Sequence, residues 1–155
     1  MRWPMVIGLM LASVMTWSQQ MDEIRKQFHT IDNEESLKAF IELSSGVDDK
    51  KASPYIEAAH MRQAIYTNNP FKKMKFFSKG KNKLEQYINQ NPFDIEARYV
   101  RALVQSEVPV FLKYNEQLNS DTTYILDNID DSSLPSYYKE MLKQAIHQLI
   151  KNHQL

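Results

Sequence analysis

Apolar side chains recur along most of this chain with the spacing of one face of an α-helix. The pattern is clearest near the C-terminus, where apolar pairs repeat at i, i+1, i+4 and i+5. These residues are Tyr137, Tyr138, Met141, Leu142, Ala145, Ile146, Leu149 and Ile150. No convincing stretch shows the alternation of apolar and polar residues that is typical of a strand. The period therefore predicts an all-α protein.

Capping residues, glycines and prolines divide this pattern into about six to seven helices. The predicted segments are 20–30, 33–45, 53–67, 71–89, 95–108, 121–128 and a final helix after the loop 130–135, with a further short helix at 110–117. Asp32, Asp94 and Asp121 are the predicted N-caps, and Glu35 completes a capping box with the first of them. Gly80, inside the fourth segment, predicts the close approach of a neighbouring backbone.

The first eighteen residues have the three zones of a secretory signal peptide. Arg2 is the only charged residue, an apolar run of eleven residues follows at 5–15, and small residues stand at Thr16 and Ser18. The run is roughly half of the ~20 residues that a membrane-spanning helix needs. We therefore expect cleavage between Ser18 and Gln19, which leaves a single helical domain at 19–155. The alternative is that the segment is retained as an anchor.

Composition excludes several classes of site without selecting a function. The chain has no cysteine, which excludes disulfides, cysteine metal sites and the lipid-modified type of signal peptide. After cleavage it would carry 18 basic and 19 acidic side chains, a balance that favours neither nucleic acid nor a membrane as partner. The charge is nevertheless uneven. Residues 70–113 hold nine basic and four acidic groups, whereas residues 114–135 hold five acidic groups and no basic one.

One part of the chain resembles a known repeat family. Residues 61–92, continued by 91–99, are similar to the second helix, closing proline and next first helix of a tetratricopeptide (TPR) repeat. Gly80 takes the small-residue position, Leu84 the large apolar position and Pro92 the terminal proline. The resemblance covers about a third of the chain and implies an array of helical hairpins.

The chain departs from the TPR pattern at two places. Tyr87 stands where the repeat usually has a small residue, and Arg98 and Arg101 stand where the family packs apolar side chains. The chain as a whole also resembles short secreted helical proteins from the Bacteroidetes group, whose role is not known. That second resemblance implies no activity.

The first candidate surface is the arginine face, which consists of Arg98, Arg101 and Gln105 at i, i+3 and i+7. Helical periodicity places it opposite the apolar side of the same helix and therefore toward solvent, whereas the TPR register implies that the arginines point inward. We expect the outward orientation, because burial of two guanidinium groups requires partners. Three interpretations remain open, of which the first is a solvated face without a binding role. The second is a face that makes salt bridges to the acidic segment 116–131, and the third is a carboxylate or phosphate clamp, which arginine forks suit.

The second candidate surface is the lysine stripe, which consists of Lys72, Lys75, Lys79 and Lys83. Its spacing of i, i+3, i+7 and i+11 spans roughly 16 Å along one helical face. Phe71 and Phe76 lie beside it. The stripe is interpreted either as a solubilising face or as a site for an anionic envelope lipid or polysaccharide. Nucleic acid is not an expected partner of an exported chain.

Patterns of catalysis and metal binding are not found in the sequence. The histidines do not have the spacing of metal ligands; they are His29, His60, His147 and His153. The acidic cluster Asp127, Asp130 and Asp131 lacks the spacing and glycine of a calcium loop. No H-E-x-x-H, G-x-S-x-G or phosphate-binding glycine loop occurs. We therefore expect no metal, no cofactor and no enzymatic activity.

These observations predict an exported, non-enzymatic helical module that mediates protein or peptide interaction in the periplasm, in the cell envelope or outside the cell. The expected partner is another envelope or exported protein. The alternative is a peripheral protein that binds an anionic envelope lipid or polysaccharide through the lysine stripe. No transmembrane segment is expected in the mature form.

Overall fold

The computed structural model describes residues 16–154, which form seven α-helices and two short 3₁₀ helices. The α-helices are α1 (Trp17–His29), α2 (Glu34–Ser45), α3 (Ser53–Arg62), α4 (Pro70–Gln90), α5 (Ile95–Glu107), α6 (Leu118–Asn128) and α7 (Ser136–His153). The 3₁₀ helices are Lys50–Ala52 and Val110–Leu112. No strand occurs within this part of the chain, so the predicted all-α class is confirmed. Most of the predicted signal peptide lies outside the described residues.

Helices α3 and α5 lie at the centre of the packing. Helix α3 packs along α4 and also contacts α1, α2 and α5, while α5 packs along α6 and contacts α7. Two helical hairpins, α3–α4 and α5–α6, therefore lie side by side. The largest fully buried side chains come from all seven α-helices and from Ile129, and they include Phe28, Phe40, Tyr55, Leu84, Tyr99, Ile125, Tyr138 and Leu142. Among the described residues, no helix combines the length and the apolar character that crossing a membrane requires.

Helices α3 and α4 approach each other closely at Gly80, as predicted. A Cβ atom at this position would lie 2.5 Å from Met61 Cγ and 2.7 Å from the carbonyl oxygen of Glu57. Both distances are too short for real contacts. The carbonyl oxygen of Glu57 belongs to the backbone, so a change of side-chain rotamer cannot relieve this contact.

We expect Gly80→Ala to lower the free energy of unfolding by ~1–3 kcal/mol, because α4 has to move away from α3. Alanine has a helix propensity about 1 kcal/mol more favourable than that of glycine. The expected loss is the net effect after this gain. Urea denaturation followed by far-UV circular dichroism measures it. Gly46→Ala is the matched control, since the nearest atom to its Cβ would be 4.0 Å away. Equal stability of the two variants would show that α3 and α4 do not pack this closely.

Two helix starts differ from the prediction because neighbouring side chains cap better. Helix α1 begins at Trp17 rather than Gln20, since Thr16 and Gln19 form a reciprocal capping box. The expected cleavage position therefore lies in the first turn of α1. Helix α2 is capped by Asn33 rather than Asp32, because the Asn33 side chain accepts from the Ser36 amide at 2.9 Å while the Ser36 hydroxyl accepts from the Asn33 amide at 3.1 Å. Glu35 is not part of this box.

The end of α3, the short helix after α5 and the start of α6 also differ from the prediction. Helix α3 ends at Arg62, and residues 63–66 continue as a tighter turn with i to i+3 hydrogen bonds rather than as a helix to 67. Only Val110–Leu112 of the predicted short helix is helical, as a 3₁₀ turn. Helix α6 begins at Leu118, so Asp121 lies inside the helix and is not its N-cap. By contrast, Asp94 caps α5 as predicted, accepting from the Ala97 amide at 3.1 Å.

Candidate functional site

The arginine face does not point toward solvent. Arg101 is 5% exposed and Gln105 is 3% exposed, so the expected outward orientation is wrong for both residues. The side chain of Arg98 is 19% exposed. The reason is that α6 packs on this side of α5 and supplies the fully buried carboxylate of Asp121. The predicted salt bridges to the segment 116–131 are confirmed, and Asp121 is the residue of that segment that forms them.

Both arginines bind Asp121. Arg101 donates from Nε to Oδ2 at 2.7 Å and from Nη2 to Oδ1 at 2.8 Å, while Arg98 Nη1 donates to Oδ1 at 2.8 Å. Arg101 Nη1 also donates to Glu85 at 2.8 Å. Burial opposes the charge of Arg101, but the hydrogen bonds and charges of Asp121 and Glu85 outweigh it and raise its pKa above the usual range. An external anion would have to displace one of these carboxylates from Arg101.

Gln105 is held without a complete set of hydrogen bonds. Its Oε1 atom is buried and has no hydrogen-bond partner among the described residues. It does not line the large groove described below. The structure therefore brings Arg98 and Arg101 together on Asp121 but does not include Gln105 in that cluster.

The lysine stripe is divided. Lys72, Lys75 and Lys79 are exposed and make no ion pair with any described residue, whereas Lys83 Nζ lies 3.0 Å from Glu57 Oε1. Burial alone would raise the pKa of the Glu57 carboxyl, but hydrogen bonds from His60 and Lys83 lower it. Three of the four lysines thus remain available to an anionic surface.

A large apolar groove, which no sequence pattern predicted, lies between α3, α4 and the end of α5. Its volume is about 540 Å³. Phe28 from α1 lines it together with apolar residues of these helices, of the turn 63–66 that follows α3 and of the segment 108–112 that follows α5. They are Ala58, Met61, Ala64, Ile65, Pro70, Met74, Phe77, Leu103, Val104, Val108, Pro109, Phe111 and Leu112. We call this surface the apolar groove.

Large apolar side chains remain exposed in and beside the apolar groove. Phe111 is 80% exposed and Ile65 is 67% exposed, and both line it. Phe71 and Val110, which are adjacent in sequence to lining residues, are 85% and 80% exposed. Exposed apolar surface concentrated in one concave region is typical of interaction sites.

Three charged side chains line the apolar groove. Arg62 Nη2 lies 3.4 Å from Glu107 Oε1, and the Arg62 guanidinium lies 5.1 Å from the centre of the Phe28 ring. Lys73, the third, makes no ion pair within residues 16–154. The groove therefore has one charge that its own walls do not neutralise.

The lysine stripe and the apolar groove lie on different sides of α4. At about 100° per residue, the groove-lining positions Pro70, Lys73 and Phe77 fall roughly opposite the mean direction of the stripe. The two surfaces are consequently separate candidates. One sequence signal could have revealed the groove. Large apolar residues such as Phe71, Met74 and Phe111 lie outside the periodic apolar faces of the predicted helices, close in sequence to Pro70 or Pro109.

A second polar cluster is buried between α1, α3, α5 and α7. Glu96 accepts two hydrogen bonds from Arg25, each of 2.8 Å, and one from the Tyr55 hydroxyl at 2.6 Å. The Tyr55 and Tyr138 oxygens are 2.6 Å apart. Because Tyr55 donates to the carboxylate, Tyr138 donates to Tyr55. Every member is paired, and burial raises the pKa of both tyrosines, so this cluster connects helices rather than offering a reactive group.

His29 lies at the edge of this cluster. Its Nε2 atom is 3.4 Å from the Tyr138 hydroxyl, and its ring also packs near Phe28 and Tyr99. Although part of the residue is exposed, removal of the ring from water and the nearby charge of Arg62 lower its pKa to about 4. His29 is therefore neutral at pH 7. Within residues 16–154, no three His, Asp or Glu side chains converge in a way that could hold a metal ion.

Comparison with known proteins adds no further information on this site. The chain matches no protein-family model, no curated protein and no solved structure.

Proposed function

We propose that this chain is an exported, non-enzymatic helical module that binds a segment of another exported or envelope protein in the apolar groove. The observation that carries the proposal is the concentration of exposed Ile65, Met74 and Phe111 around a concave apolar surface of about 540 Å³. Water in contact with such a surface is unfavourable, so a partner that covers it gains hydrophobic free energy.

The architecture supports this proposal. The hairpins α3–α4 and α5–α6 lie side by side, and the groove opens between their helices, as in arrays of helical hairpins that bind peptides. A TPR-like relationship remains part of the proposal, and so does a location in the periplasm or outside the cell. The latter rests on the three-zone pattern of residues 1–18.

A labelled amphipathic peptide with leucines at i, i+3, i+4 and i+7 tests the proposal by fluorescence anisotropy. We expect saturable binding to the protein and at least ~10-fold weaker binding to Phe111→Ser, because a large exposed aromatic side chain that lines the groove would be covered by the partner. Phe93→Ser is the matched control. Phe93 is 79% exposed, close to the 80% of Phe111, but does not line the groove.

Comparison of Phe111→Ser with Phe93→Ser shows whether the peptide binds in the apolar groove. Phe93→Ser should leave the dissociation constant within about twofold of the unchanged protein. Equal weakening by both variants would contradict the assignment of the groove, and absence of any saturable binding would remove the proposal.

A second candidate function is supported by Lys72, Lys75 and Lys79, which are exposed and form no ion pair within residues 16–154. A peripheral protein could use them to bind anionic envelope lipid, since each lysine near such a surface contributes ~1 kcal/mol. Sedimentation with phosphatidylglycerol vesicles tests it at low and high salt. Binding that high salt weakens and that Lys75→Glu/Lys79→Glu abolishes supports this function. No binding at low salt removes it.

A further inference from the structure

We infer that the occupant of the apolar groove is an acidic amphipathic helix, with a carboxylate placed against Lys73. This inference rests on the proposed function and specifies its partner. It depends on three features of the groove: the polarity of its walls, its concave shape and the position of its unpaired charge.

The walls of the groove favour a helical occupant over an extended one. An extended peptide presents backbone N–H and C=O groups that must find hydrogen-bond partners. The side chains that line the groove offer few, because most of them are apolar. Among the described residues that line the groove, only Arg62, Lys73 and Glu107 carry a charge. A helix satisfies its own backbone and presents an apolar stripe to the groove.

The shape of the groove favours a polypeptide over a membrane. A bilayer surface covers protruding side chains but does not fill a concavity. A volume of about 540 Å³ is more than three times the ~150 Å³ of a cavity that accepts benzene, which leaves room for roughly three ring-sized side chains. A helix supplies three such anchors at i, i+3 or i+4, and i+7.

The charge around the groove favours an acidic partner. Glu107 is the groove's acidic residue, and it lies beside Arg62 at 3.4 Å. Lys73 makes no ion pair within residues 16–154. Residues 70–84, which include the groove-lining part of α4, contain six lysines and no acidic residue. A carboxylate beside the apolar stripe of the partner would pair with Lys73, and the other lysines would attract that partner at longer range.

Lys73 and Lys75 form a matched pair for testing this geometry. Both are exposed lysines of α4, but they are about 200° apart around the helix axis. Lys73 lines the groove and Lys75 does not. Charge reversal changes the net charge of the protein equally in the two variants, so any difference between them reports on position.

Three labelled peptides with one apolar stripe and with Glu, Gln or Lys beside that stripe provide the probes. We expect the Glu peptide to bind the unchanged protein at least ~10-fold more tightly than the Lys peptide at low salt, with a smaller ratio at high salt. Lys73→Glu should reverse this order. Lys75→Glu should preserve the order of affinities and change the three dissociation constants by only a few fold.

The results separate this inference from the proposed function. Equal affinity for the three peptides, or equal effects of Lys73→Glu and Lys75→Glu, would overturn the acidic partner while leaving the groove as a peptide site. Undiminished binding of a proline-interrupted Glu peptide would overturn the helical partner. Binding to phosphatidylglycerol vesicles with no binding to any peptide would overturn both proposals. Self-association in sedimentation that Phe111→Ser abolishes would identify a second copy as the occupant and also overturn the inference.

Discussion

Arg98→Gln/Arg101→Gln is expected to lower the free energy of unfolding by more than ~3 kcal/mol. Asp121 is fully buried, and the three hydrogen bonds that its carboxylate accepts all come from these two guanidinium groups. Removing both groups leaves a buried carboxylate without a charged partner, which is far less favourable than losing an exposed ion pair. Urea denaturation followed by circular dichroism measures the loss.

Single variants divide this effect between the two arginines. Arg98→Gln leaves the two bonds from Arg101 to Asp121 intact, so we expect a loss of only ~1–2 kcal/mol. Arg101→Gln removes both of those bonds and the one to Glu85, and should account for most of the loss. Adding Asp121→Asn to the double variant removes the buried charge and should recover part of the stability. If the free energy of unfolding of the double variant were within ~1 kcal/mol of that of the unchanged protein, this cluster would be solvated.

The second large effect is expected for Glu96→Gln, which should cost ~3–5 kcal/mol of stability. Both carboxylate oxygens of Glu96 accept hydrogen bonds, one from Arg25 and the other from Arg25 and Tyr55. Glutamine has the same shape, but its amide nitrogen is a donor and would face another donor in either orientation. The substitution also leaves Arg25, which is 8% exposed, with Asp22 as its remaining carboxylate partner.

Glu34→Gln is the matched control for Glu96→Gln. Glu34 forms an ion pair with Lys38 at 2.7 Å, but both side chains are at least half exposed, so we expect a change of ~0.5 kcal/mol or less. Replacing the buried pair together, as Arg25→Met/Glu96→Leu, should be less destabilising than Glu96→Gln alone, because no unpaired charge remains buried: Asp22, the other partner of Arg25, is 42% exposed. Similar losses for Glu96→Gln and Glu34→Gln would contradict the buried cluster.

Features that depend on neighbouring residues were predictable from the sequence. The apolar pairs of α7, the cap at Asp94 and the end of α2 at Gly46 all follow from side chains within about one turn of the helix. The errors at Asp32 and in the length of α3 are local as well. Asn33 and Ser36 formed a better capping pair, and the residues after Arg62 adopted a tighter turn.

The orientation of the arginine face could not be predicted from its own helix. Periodicity assigns a polar residue to the solvent side because burial of a charge is unfavourable without a partner. The partner of Arg101 is twenty positions later in the chain, on α6. The same residue, Asp121, has the sequence context of an N-cap, so its own position did not indicate that it would be buried. Burial of Arg101 required the packing of α6 against α5.

Local spacing and residue type were sufficient to predict the helical class, most helix positions, the close approach at Gly80 and the four lysines of the stripe. The pairing of charges and the position of uncovered apolar surface depend instead on how the helices pack against one another. Lys73 and Lys75 are two positions apart in sequence, yet only Lys73 lines the groove. Phe28, Met74 and Phe111 line the same groove although they are far apart in the chain. A groove is a property of helices packed beside each other, and local periodicity carries no information about the space between them.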